Sequence, residues 1–275
     1  LDKRIRLIDG CFPGNPSSIA GDNVWRGPEH FEWDRVGGES LYTWFTNWTL
    51  MNVAHGKYPK RVAWLLEPPS LQNWPYQTAT DYRNEYQAIM TYDKRLLGLG
   101  DNRFKFAPHG GSWIDWDLWG MHEKTKDVCM IVSDKKDSVG HKLRHEIAKE
   151  FSDVIDIYGP SFQTFDRKWD VLRHYRYCVV VESVKMDYYF SEKLIDAISV
   201  GCIPIYWGCP SISNYFDFWG LEMFDNPKSL SHILELCDSR NYLERKMKRG
   251  NNLETAKQYR MPEDWMFEHY PELFR

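Results

Sequence analysis

Several common protein classes are excluded by what this 275-residue chain has little of. Its six cysteines (Cys11, Cys129, Cys178, Cys202, Cys209, Cys237) form no Cys-x-x-Cys pair and have no histidines at zinc-finger spacing, so neither a disulfide framework nor a structural zinc is expected. Several stand in apolar, strand-like runs, which predicts reduced, mostly buried thiols of the kind found in a cytoplasmic protein. No apolar run approaches the ~20 residues that cross a bilayer, and the opening Leu1-Asp2-Lys3-Arg4 is not a signal peptide. The expectation is a soluble, cytoplasmic chain with no integral membrane segment, although a removed N-terminal anchor is compatible with it. A net charge of −4 is small for this length and argues against a strongly electrostatic nucleic-acid binder. Internal repeats, low-complexity tracts and heptads are missing too, which leaves an ordinary globular chain whose oligomeric state is open.

Aromatic residues are plentiful instead: 13 Trp, 16 Tyr and 14 Phe, more than a core of this size requires, with the excess in the first half. Flat rings stack on sugars and on bases, but most of these are expected to pack the core. Asn47-Trp48-Thr49 fits a glycosylation acceptor; with no secretory signal, the reading without glycosylation is preferred. Short apolar runs alternate with amphipathic stretches, which predicts an α/β fold. Strands are expected at Ile5–Asp9, Arg61–Leu66, Asp127–Ser133, Val154–Tyr158 and Tyr177–Val181, with a strand end at Ile89–Tyr92. Helices are expected over 81–90, 93–99, 140–151, 229–237 and 239–259. The glycine- and proline-rich stretch from Gly10 to Gly27 is long for a connection, which points to binding or mobility. A composition shift over Gly120–Lys126 suggests a linker, giving domains 1–124 and 125–260, with a tail 261–275 packing back on the first.

The most informative stretch is Asp187–Pro210, DYYFSEKLIDAISVGCIPIYWGCP. Ser191 is a good N-cap, Leu194, Ile195, Ala197 and Ile198 share one helical face, and Gly201 can end the helix before a strand in which Pro204 suits a start or an edge. Glu192 and Lys193 fall in the first turn, where unpaired N–H groups and the dipole favour an anion. A lysine there can hold a phosphate, and a carboxylate beside it can accept hydrogen bonds from sugar hydroxyls.

Ser-Glu-Lys-Leu followed by Gly-Cys-Ile-Pro-Ile resembles the donor-binding signature of the glycosyltransferase family 10 enzymes, the alpha-1,3/1,4-fucosyltransferases. The likeness extends through Asp156-Ile-Tyr-Gly159 and Cys178–Glu182. It implies a GT-B-like α/β fold, two Rossmann-like domains facing a central cleft, and an inverting enzyme that needs no cofactor and uses a nucleoside-diphosphate sugar, GDP-fucose by preference. The family's Phe-Glu-Asn-Ser is Val181-Glu182-Ser183-Val184 here, so Ser183 replaces an asparagine that touches the donor and the sugar is left open. The resemblance also implies that Glu192 binds the ribose. It further implies that a basic residue of the helix around Gly140–His145 contacts the phosphate: Lys142 or Arg144, with Arg144 preferred for its planar fork.

Glu182 can meet the donor sugar or pair with Lys185, and its distance from Glu192 does not match the Glu-x7-Glu spacing of many retaining transferases. By resemblance, Glu67 in Leu65-Leu66-Glu67-Pro68-Pro69 is the base that takes the acceptor's proton. His109-Gly-Gly-Ser-Trp113 supplies the acceptor-side candidates His109 and Trp113, with the glycines permitting close backbone approach. The acceptor is a glycan or the hydroxyl of a modified nucleobase in DNA. Two alternatives stand beside this reading: a binding module without turnover, and a metal-dependent transferase using Asp115 and Asp117.

Overall fold

The structure, a computed structural model, describes residues 3–19, 26–37, 40–54 and 58–275, with the backbone only for 52–54. Residues 20–25 of the long loop Gly10–Gly27 therefore lie outside the described residues. Two compact units are present, Leu1–His109 with Met261–Arg275, and Gly110–Arg260.

The first unit contains β1 (Arg4–Ile8), β2 (Glu32–Asp34), β3 (Tyr42–Thr46), β4 (Lys60–Trp64), helix α1 (Asn73–Asp81), β5 (Ala88–Thr91), the short α2 (Lys94–Leu97) and β6 (Phe104–Phe106). Its six strands are parallel and ordered β2-β1-β3-β4-β5-β6, so the order reverses between β1 and β3. Strands covered on both faces read as continuous apolar runs, and Val62-Ala-Trp-Leu65 and Ala88–Met90 are buried for that reason. The expected helix over 81–90 is corrected. A helix runs earlier, from Asn73 with Pro75 in its first turn, while the strand end expected at Ile89–Tyr92 is the central strand β5.

In the second unit β7 (Lys126–Ile131) leads to α3 (Val139–Glu150), β8 (Asp156–Tyr158), α4 (Lys168–Leu172), β9 (Tyr175–Val181), α5 (Glu192–Ser199), β10 (Ile203–Trp207), β11 (Glu222–Met223), α6 (Pro227–Leu234), α7 (Ser239–Glu244) and α8 (Lys246–Ala256). This sheet is parallel in the order β11-β10-β9-β7-β8, with its reversal between β7 and β9. Pro204 sits inside the sheet, not at its edge, but before Ile205, where pairing to β11 begins. The single helix expected over 239–259 is broken at Arg245, whose guanidinium pairs with Glu222.

The expected domain boundary at 124 does not match the division at His109/Gly110. Residues 110–124 belong to the second unit: Gly111 N–H donates to Tyr259 O at 2.7 Å, Ile114 lies in its core, and the buried Lys124 ammonium donates to the carbonyls of Val200 (2.7 Å) and Leu172 (3.2 Å). The polar composition of Gly120–Lys126 reads as a linker because sequence does not show that its lysine finds carbonyl partners.

The tail belongs to the first unit. Its helix α9 (Pro262–His269) and the following turn bring Phe267 and Phe274 against Phe31 and Trp44, with Phe274 at 4.8 and 4.7 Å from those two rings. Trp33, Trp44 and Trp64 complete the cluster, so the aromatic excess of the first half is mostly core, each such ring contributing about 1.5–3 kcal/mol by burial. Four of the cysteines are buried and all six are free thiols. Asn47 is buried as well, accepting from Leu66 N–H at 2.7 Å, which removes its amide from any glycosylation machinery once folded.

Glu263 anchors the tail by accepting from Ser18 N–H (2.6 Å), Ser18 O–H (3.0 Å) and Trp33 Nε1–H (3.4 Å). Those bonds favour the carboxylate, but full burial outweighs them and pushes the group up to about 7. The folded state then holds a proton that the unfolded chain releases near 4.5, so this contribution is complete below pH 4.5 and is lost as pH rises through about 7. Urea titrations at several pH values should show stability falling over that window by roughly 3 kcal/mol in the native chain, and a flatter profile in Glu263→Gln.

Candidate active site

In an open parallel sheet, ligands bind beyond the carboxyl ends of the strands where the strand order reverses. In the second unit that place is the end of β7 and β9. Two helices start there. Ser138 caps α3 by accepting from His141 N–H at 3.1 Å, and Gly140 N–H donates to Ser183 O at 3.0 Å. A side chain at Gly140 has no room, since a Cβ would lie 1.7 Å from Glu182 O. The start of α3 is thus pressed against the end of β9.

Glu182, at that end, is 0% exposed. One carboxylate oxygen accepts from Ser191 N–H at 2.8 Å and the other from Ser191 O–H at 2.6 Å. Ser191 in turn caps α5, its Oγ accepting from Lys193 N–H (3.4 Å) and from the Lys193 ammonium (3.0 Å). That ammonium also reaches Glu192 Oε1 at 2.8 Å and Glu182 at 3.9 Å, so one cation balances two carboxylates. The pairing of Glu182 with Lys185 is corrected, because Lys185 pairs with Asp225. Glu182 and Ser191 are both buried and engaged with each other, which holds the first turn of α5. Ser183 is buried beside them, its carbonyl engaged by Gly140.

Arg144 and Lys142 separate clearly. Lys142 is exposed, whereas Arg144 is 4% exposed and donates from Nε to Val181 O at 2.9 Å, while its Nη2 has no hydrogen-bond partner among the described residues. Burial lowers the guanidinium's pKa; Glu182 and Glu192 act the other way. His141, one turn earlier on the same face, was not singled out in the sequence although it stands in the stretch that contains Arg144. It is 6% exposed, and its Nδ1 also lacks a partner among the described residues. Trp113 lies in this unit as well, its N–H donating to the buried Asp196 of α5 at 2.8 Å and its ring 4.0 Å below the Lys168 ammonium.

In the first unit, Glu67 is half-buried just past the end of β4, its carbonyl accepting from Tyr76 O–H at 2.8 Å. Cys11, beyond the end of β1, is within electrostatic reach of Glu67 and lies against the backbone of Trp48. Trp48 is 54% exposed, with its ring 5.6 Å from that of Trp74. It packs closely against Gly10, where a Cβ would lie 2.6 Å from Trp48 Cβ. His109 packs edge-on to Tyr92 at 6.1 Å. Asp115 caps a short 3-10 turn by accepting from Asp117 N–H at 3.2 Å, and among the described residues no three His, Cys, Asp or Glu side chains gather as metal ligands.

The model of the glycosyltransferase family 10 (fucosyltransferase) C-terminal region matches residues 121–258, half of the chain. The chain belongs to glycosyltransferase family 10. As a family 10 member it is a glycosyltransferase with a nucleotide-sugar donor. Solved structures share the fold. A crystal structure of an alpha1,3-fucosyltransferase matches with TM-score 0.53 and 13% identity, covering 94% of this chain and 89% of that one. The alpha1,3-fucosyltransferase structure with GDP-fucose matches with TM-score 0.51 and 14% identity over 79% and 72%. Anabaena HepE in complex with UDP and glucose matches with TM-score 0.60 and 10% identity over 84% and 77%. The α/β architecture is that of the GT-B class. Among the described residues no helix is long and apolar enough to cross a membrane.

In this family 10 chain the first turn of α5 depends on Glu182 accepting two hydrogen bonds at once. Glu182→Gln replaces one acceptor by an NH2 group facing a Ser191 donor, and should destabilise the protein by about 1–3 kcal/mol. The shift in urea midpoint measures it, with Lys185→Ala as a comparison expected to change stability by less than about 0.5 kcal/mol.

Proposed function

We propose that this family 10 glycosyltransferase moves fucose from GDP-fucose to an acceptor hydroxyl, with inversion and without a metal ion. The observation that carries the donor half is the buried guanidinium of Arg144, with Nη2 unpartnered among the described residues beside the start of α3. A fork of N–H groups on a helix N-terminus suits a diphosphate. In the proposed reaction Glu67 takes the proton of the acceptor hydroxyl, whose oxygen attacks the anomeric carbon. The bond from that carbon to the phosphate oxygen breaks, and the nucleoside diphosphate departs with the electron pair, its charge stabilised by Arg144 and Lys193. Glu192 binds the ribose. Fucose is supported by the family and by the neighbour solved with GDP-fucose, while HepE with UDP and glucose supplies the competing donor. The acceptor is a glycan or a modified nucleobase in DNA. The exposed Trp48 beside Trp74 supports a ligand with a flat face in either case. His109 is kept as an acceptor-side residue; Trp113, set against Asp196 and Lys168, is better placed to support α5.

A thermal-shift screen against GDP, UDP, ADP and CMP tests the donor. GDP at a hundred times its Kd should add ~2.7 kcal/mol, and Lys193→Ala should abolish the gain; a preference for UDP would replace fucose and keep the transferase. For the base, Glu67→Gln should lower turnover by about 10²–10⁴-fold with the GDP shift retained, and full turnover in this variant would remove Glu67 from the reaction. Chelation should leave the rate unchanged. Loss of activity on chelation, reproduced by Asp115→Asn, would favour the metal-dependent alternative.

A further inference from the structure

His141 is a buried titratable group beside the candidate donor site that the proposed reaction leaves unused. It occupies the first turn of the twelve-residue α3, with its N–H taken by Ser138, so its imidazole starts from a fixed backbone position. Arg144 is three residues on, and side chains at that spacing share a helix face. These two neighbours are the buried side chains on α3 that retain an unpartnered polar atom among the described residues, Nδ1 of His141 and Nη2 of Arg144. The contact of Gly140 with Glu182 and Ser183 presses this turn against the end of β9, next to Ser191 and Lys193.

We propose that His141 is a third ligand for the diphosphate and takes up a proton when the nucleotide binds. The inference rests on the donor site proposed above. Its physical basis is the charge around the ring. Arg144 on its own helix, Lys135 in the preceding loop and Lys193 on α5 face it as cations, opposed by Asp137 of that loop, while Glu182 of the β9 end and Glu192 of α5 lie near Arg144. Burial first, and then those cations, push the imidazole down to about 4, so in the empty site it is neutral and can donate from one nitrogen only. A diphosphate reverses the sign of the nearest charge. The protonated ring can then donate from both nitrogens, and the charge it gains compensates the phosphate oxygens. Because the bound state holds the extra proton, affinity strengthens as pH falls from the bound value toward the empty one, by up to about tenfold per pH step.

The experiment follows the His141 ring by NMR as pH is varied, in the whole chain, alone and with saturating GDP, UDP or inorganic pyrophosphate. The expected result is titration near 4 without ligand and above about 6 with each of the three, because they share the diphosphate. Calorimetry in buffers of different ionisation heat should show proton uptake near pH 5 that is absent in His141→Gln; the nucleotide's own phosphate, titrating near about 6, contributes equally to both proteins. If GDP binds with its Lys193 dependence intact but the ring titration does not move, the role of His141 is overturned and the donor site stands. A rise with GDP or UDP but none with pyrophosphate would also overturn it, since the base or sugar would then be the cause. If none of the three binds at any pH, both readings fall together.

Discussion

The candidate donor site depends on one buried carboxylate. Glu182 is fully buried, with two donors from Ser191 on its oxygens and the Lys193 ammonium 3.9 Å away. Removing any of the three would strand the others, which is how a local cap on α5 becomes coupled to the end of a strand ten residues earlier. The same strand end receives Gly140, so both helices whose N-termini face the strand ends are registered against a single short segment. Two half-dipoles and two basic side chains are thereby gathered, with Glu182 and Glu192 near Arg144 but its Nη2 unpartnered among the described residues.

The first unit is built on a different balance. Its aromatic residues are mostly committed to packing, with Trp44 and Phe274 fully buried, while the exposed Trp48 stands at the reversal of the strand order. A large apolar ring kept half in water forgoes the stability that burial would give it.

Much of this was legible in the chain, and the parts that were not have a common cause. Ser191-Glu192-Lys193 and Gly201 could be read because capping is local: the cap, the first turn and the stop are neighbours in sequence. Glu67 at a strand end was legible for the same reason. Ser191 as the partner of Glu182 was not legible, because a loop in which Tyr188 adopts positive φ carries the chain back to Ser191, and nothing local announces that path. The boundary near Gly120 failed likewise, since Lys124 looks solvated until the carbonyls of Leu172 and Val200, far away in sequence, close around it. That Arg144 and not Lys142 is buried follows from the phase of α3 relative to the sheet, which is set by Gly140 meeting β9. Each of these features rests on a long-range contact.

The return of Met261–Arg275 to the first unit has a consequence for how the protein is made. The second unit is continuous in the chain, from Gly110 to Arg260, and can complete its sheet as soon as those residues have left the ribosome. The first unit cannot, because Phe274 and the carbonyl of Arg275, which accepts from Leu41 N–H at 2.8 Å, come after the whole of the second unit. During synthesis its aromatic face must wait uncovered while more than half the chain is translated, so the nascent protein should lean on chaperones at its N-terminal half, and the order of domain completion should run opposite to the order of synthesis.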